Sequence, residues 1–189
     1  MHAITLFSGA FLLLAAAWIG LEMWLLAREG AGVLAQADRG SALAIIASVS
    51  AAGAAAVACA AMGWGVAQGP GVRWAGLGLM AAGLVLRVWS LATLGRFFTS
   101  VVRTHPGHRV VRSGPYRLLR HPSYTGTFLT LLGFGLALGS WLGAALLVLL
   151  PLPAYIYRMR VEERVLLSAL GPEYAEYMRG TRRMLPWLW

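Results

Sequence analysis

The chain has 189 residues, 59% of them hydrophobic and only 12% charged, a balance that excludes an ordinary soluble domain of this size. Sixteen basic residues, all arginine, face seven acidic ones for a net charge of +9. Alone that excess would suggest nucleic acid, but in a chain this apolar it marks membrane flanks beside anionic headgroups, so no nucleic-acid partner is expected.

In chain order, Ile4 to Ala27, Ser41 to Ala67 and Trp74 to Leu94 are each apolar for the ~20 residues that a ~30 Å hydrocarbon core requires. The first run lacks a charged leader and a small-residue cleavage site, and reads as a retained span and not a signal peptide. Cys59, the single cysteine, sits in an Ala-rich stretch and reads as packing, so neither a disulfide framework nor a cysteine metal cluster is expected. The apolar stretch from Tyr124 to Tyr157 would be about 50 Å long as one helix. It is expected to fold back at Gly139-Ser140 into two short spans, the second bent near Pro151 and Pro153, with one long tilted helix as the alternative.

The reading is an all-α membrane protein of about five transmembrane helices: a single domain 1–189, with three spans in 1–94, a cytoplasmic loop at 95–122, a helical hairpin at 123–157 and cytoplasmic C-terminal helices at 158–189. Arginines cluster in the Gly95 to Pro122 connection and in the tail beyond Arg158, so both are expected inside, with the N-terminus outside and the C-terminus cytoplasmic. The loop reads as ordered and polar. Met159 to Leu170 has one apolar side and ends at Gly171-Pro172; Pro172 then opens a short helix, and the Trp187 and Trp189 indoles suit a membrane interface. No internal repeat or second domain is visible.

Dinucleotide and phosphate loops, zinc-protease signatures and a serine nucleophile elbow are all absent. The glycines at 135, 139 and 143 read as close packing. On the arginine-rich side, however, His105, His108 and His121 gather with Tyr116, Tyr124 and the pair Glu162-Glu163. Such a group can bind a small polar cofactor, or can be interfacial anchoring and charge compensation; Glu163 reads as the partner of surface arginines. Within the spans, Glu22 and Arg87 fall at similar depth and read as an interhelical ion pair, with Arg87 facing a substrate as the alternative.

The run His108-Arg109-Val110-Val111-Arg112-Ser113-Gly114-Pro115-Tyr116, then Arg120-His121-Pro122-Ser123-Tyr124-Thr125-Gly126, then Arg158 to Glu163 and Gly171-Pro172-Glu173-Tyr174, resembles the isoprenylcysteine carboxyl methyltransferase family over residues 94 to 186. The resemblance implies a membrane enzyme taking S-adenosylmethionine from the cytoplasm and a lipophilic acceptor from the bilayer. It places the cofactor against His108, Arg109, Val110, Val111, Tyr116, His121, Pro122, Ser123, Tyr124 and Glu162, and the acceptor against Arg158 as the catalytic and substrate-binding residue. It departs at Val101, where the family pattern has a polar contact. His105 matches nothing in the pattern.

The residue types suit that chemistry. Methyl transfer from a sulfonium is an in-line displacement that needs alignment and exclusion of water, and no metal. Glu162 suits the cofactor ammonium and Arg158, one turn earlier on the same helical face, suits an acceptor carboxylate through a bidentate pair. Methylation of a phenolic or thiol group on a lipid-like molecule is an alternative and would call on a base such as His108 or His121. A non-catalytic binding or transport protein is a third reading, disfavoured by the missing inverted repeat.

Overall fold

A computed structural model describes residues 2–29, 40–66, 69–98 and 109–185. Seven α-helices occur among them: α1 His2–Glu29, α2 Ser41–Ala61, α3 Pro70–Leu94, α4 Pro122–Ala137, α5 Trp141–Leu149, α6 Leu152–Leu170 and α7 Pro172–Gly180. Short 3-10 turns follow α3 at Gly95–Phe97 and precede α4 at Gly114–Arg117. Four stretches are long and apolar enough to cross a membrane, Thr5–Ala27, Ser41–Ala61, Pro70–Leu94 and the joined α5–α6 stretch Trp141–Leu170. The protein is an all-α integral membrane protein. α4, at 16 residues, is the shorter arm beside them.

The boundaries follow local chemistry. Pro70, Pro122 and Pro172 each stand in the first turn of a helix, where a missing N–H costs nothing. Between α4 and α5 the chain reverses over Leu138-Gly139-Ser140, and Gly139 takes a φ of 80°, which a side chain would strain. Ser140 caps α5, its hydroxyl accepting from Gly143 N at 3.0 Å while donating to Trp64 O at 2.7 Å. Leu150 and Pro151 interrupt the helix between α5 and α6, and from Leu152 it runs unbroken to Leu170. The end of the last apolar stretch, from Leu152, and the amphipathic stretch after it, read separately in the sequence, are thus one helix.

Glycine sets the closest contact. A Cβ on Gly83 of α3 would lie 2.5 Å from Gly126 O of α4, and one on Gly133 would lie 2.5 Å from Gly76 O. The two glycine pairs, each spaced by two helical turns, let α3 and α4 touch backbone to backbone in antiparallel register, as small residues permit in membranes. Gly135 meets Ala144 across the reversal, and Gly143 seats α5 against Ala56 of α2. Leu131 and Leu147 pack there with Ala52 and Ala56, all buried, with Trp18 of α1 against them. This wedge ties α4–α6 to the first spans and leaves a cavity at the arginine-rich end.

Candidate active site

α4 begins with His121 as its N-cap and Pro122 as its first residue, so His121, Ser123 and Tyr124 radiate from a fixed first turn. Tyr124 OH donates to Glu162 Oε1 in a short hydrogen bond. Arg158 Nε donates to the same tyrosine oxygen at 3.1 Å and to Glu162 Oε1 at 3.0 Å, while its Nη1 meets Ser41 Oγ at 3.3 Å. The expected i, i+4 pair on one helix face is therefore present, with a phenol between its members. Tyr124 stacks on the His121 ring at 5.5 Å and 6°, and stands edge-on to Tyr155.

His121 is buried, its Nδ1 3.3 Å from Glu162 Oε2 and its Nε2 3.4 Å from Glu163 Oε1. Burial opposes its charging, but the hydrogen bonds and charges of the two carboxylates outweigh burial and hold its pKa above the ordinary imidazole value. Glu163 faces away from the cavity into a clamp. It accepts from Arg120 Nε at 2.8 Å and Arg183 Nη2 at 2.8 Å, and Arg120 Nη1 continues to the Met178 and Thr181 carbonyls. Backbone bonds from Arg120 N to Arg182 O and His121 N to Arg183 O, 2.7 and 2.9 Å, strap the tail against the start of α4. The partners expected for Glu163 are thus arginines, but Glu163 itself is buried.

Above this layer, residues 109–112 run without helix to the 3-10 turn that buries Tyr116. Tyr177 OH of α7 donates to the Tyr116 and Leu119 carbonyls at 2.8 and 3.2 Å, and burial lifts its pKa to about 12. A cavity of about 220 Å³ opens beneath. Arg109, Val110, Val111, Tyr116, His121, Ser123, Tyr124, Arg158 and Glu162 all line it. Pro122 is buried behind the wall and not part of it. His108, His105, Val101, Trp187 and Trp189 lie outside the described residues.

Other wall residues carried no sequence signal. Leu25 of α1 and Ala42, Ile45 and Ile46 of α2 are ordinary apolar span residues, and only the packing brings them to the cavity. Tyr174 and Tyr177 of α7 also line it; their spacing of three on a short helix was the available clue. Arg87 sits lower in the wall, its Nη1 donating to Thr127 Oγ1 at 2.7 Å and Ser123 Oγ at 3.1 Å, its Nη2 paired with Glu22 at 2.8 Å. The ion pair read from matching depth is present.

The fold and cavity define a polytopic membrane protein with a polar site at one end of its helix bundle and an apolar wall running down from it. Residues 76–168 match the pattern of the isoprenylcysteine carboxyl methyltransferase family. It is 33% identical over 119 residues to a probable protein-S-isoprenylcysteine O-methyltransferase of Oryza sativa subsp. indica, covering 62% of each chain. A protein-S-isoprenylcysteine O-methyltransferase of Schizosaccharomyces pombe is 30% identical over 58% of this chain and 48% of its own. The cobalt-zinc-cadmium resistance protein CzcN of Cupriavidus metallidurans is 40% identical over 51% of this chain and 45% of its own. The matches thus span less than two thirds of these relatives. No group of three or more His, Cys, Asp or Glu placed to hold a metal occurs among the described residues.

Proposed function

We propose that the protein is a methyltransferase that uses S-adenosylmethionine to methylate the carboxyl group of a prenylcysteine-like, lipophilic acceptor. The observation that carries this reading is the cavity in which Glu162 and Arg158 meet at the Tyr124 hydroxyl, between a polar rim and an apolar wall. When bound, the cofactor supplies a methyl group activated on a sulfonium. The residues fit it: Glu162 offers a carboxylate to its ammonium, the backbone of 109–111 offers donors and acceptors to an adenine edge, and Tyr116 offers a flat buried face.

Arg158 binds and orients the acceptor carboxylate, which is ionised at neutral pH and needs no base to attack. Tyr124 holds the two charged side chains in register, while α7 and the strapped tail keep water from the reacting groups. A phenolic acceptor would require a base, and His121, with a carboxylate near each nitrogen holding its proton more tightly than an ordinary imidazole, is poorly suited to that role. Arginine asymmetry supports a cytoplasmic site with the N-terminus outside.

Protein purified in detergent should be stabilised by S-adenosylmethionine or its demethylated product. At ~100 times the dissociation constant the gain is about 2.7 kcal/mol, read as a rise in melting temperature. No shift with either compound at saturating concentration overturns the cofactor assignment.

A further inference from the structure

The family match begins at residue 76, so α1 and α2 lie outside it, yet both supply cavity wall. Glu22 of α1 and Glu162 are the acidic residues lining the cavity among the described residues. Arg87 Nη2 lies 2.8 Å from each Glu22 oxygen and donates to Oε2; Oε1 and Arg87 Nε are buried and make no hydrogen bond among the described residues, so the capacity left open to the cavity is the second lone pair of Oε2. The other arm of Arg87 is engaged by Ser123 and Thr127. A carboxylate has roughly four lone-pair sites, and the protein fills one of them here. The Glu22 side chain remains 33% exposed. Unmet acceptor capacity in a membrane span is costly unless a ligand meets it.

The pair is also wired to the reacting groups. Arg87 grips Ser123, and the next residue, Tyr124, bonds both Arg158 and Glu162. Leu25 and Ile45 stand in the same wall and suit an apolar tail. We propose that Glu22 accepts a hydrogen bond from a nitrogen on the acceptor's head group, so that the protein selects lipid-tailed molecules bearing an N–H beside the methylated group. This rests on the reading of the cavity as a lipophilic acceptor site. Arg87 then acts as a positioning residue that fixes the Glu22 carboxylate.

The test compares N-acetyl-S-farnesylcysteine with S-farnesylthiopropionate, which keeps tail and carboxylate but lacks the nitrogen. Binding is read by thermal stabilisation in detergent and turnover by kcat/KM, for the parent, Glu22→Ala and Glu22→Gln. The ratio between the two acceptors is independent of how much variant is folded. The parent should prefer the N–H acceptor by about tenfold in both measurements, Glu22→Ala should bring the ratio near one, and Glu22→Gln, which retains an acceptor oxygen, should keep part of it. Equal preference in the parent, or equal loss on both acceptors in Glu22→Ala, overturns the role of Glu22 while leaving methyl transfer standing. Glu22-dependent preference in binding with no turnover of either compound upholds Glu22 and removes carboxyl methylation instead. Binding of neither removes both.

Discussion

Arg158 and Glu162, one turn apart on α6, converge on the hydroxyl of Tyr124, and Arg158 Nε stands 3.0 Å from the carboxylate it would leave to a cofactor. The two charges therefore hold each other, and on the proposed assignment each ligand would exchange part of this contact for its own. On the proposed assignment, the side chains that order the site are also those that would select its ligands.

The assigned division of labour makes the two positions separable. Glu162→Gln should weaken S-adenosylmethionine binding at least tenfold by calorimetry without acceptor. Arg158→Ala should change that affinity by less than about threefold while lowering kcat/KM for a carboxylate acceptor by two or more orders of magnitude. The opposite pattern would reverse the assignment.

His121 links pH to stability. Its pKa is raised in the fold, so its contribution is fully present below the unfolded value of about 6.5 and is lost as pH rises through the folded value. The difference in melting temperature between the parent and His121→Gln should be largest near pH ~6 and shrink steadily at higher pH. A difference that widens with pH would mean that the imidazole is neutral in the fold.

The α3–α4 contact predicts a sharp positional contrast. Gly83→Ala places a methyl 2.5 Å from Gly126 O, a backbone atom with nowhere to move, whereas a Cβ on Gly78 meets nothing within 4 Å. Gly83→Ala should cost about 1–3 kcal/mol or more and Gly78→Ala next to nothing, as read from thermal or chemical denaturation in detergent. Comparable effects at both would dissolve the proposed contact.

Orientation is tested by cysteine labelling in a background lacking Cys59. Cysteines at Ser113 and Gly180 should be shielded from an impermeant reagent in intact cells, and one at the exposed Gly71 should react. Reaction at the first two positions would invert the topology.

Approximate span positions, the Gly171-Pro172 boundary and the helix that Pro172 opens were legible in the sequence because they are local: apolar length, missing N–H groups and positive φ act within a few residues. The blocks around residues 109–124 and 158–163 stood out in the sequence through their resemblance to the family pattern; side-chain type alone left cofactor binding and interfacial anchoring both open. Depth, too, is local along a span, and so Glu22 and Arg87 could be paired before their 2.8 Å contact was seen. What only the tertiary structure decided is which apolar faces meet. Leu25 and Ile45 resemble any lipid-facing residue in sequence, since the interior of a membrane protein is no more apolar than the lipid outside it, and hydrophobicity therefore does not mark the cavity wall. Likewise Glu162 and Glu163 are chemically identical neighbours. Their separate destinations, one in the cavity and the other in the Arg120–Arg183 clamp, follow from the ~100° that a helix turns between consecutive residues and from the elements packed on each side.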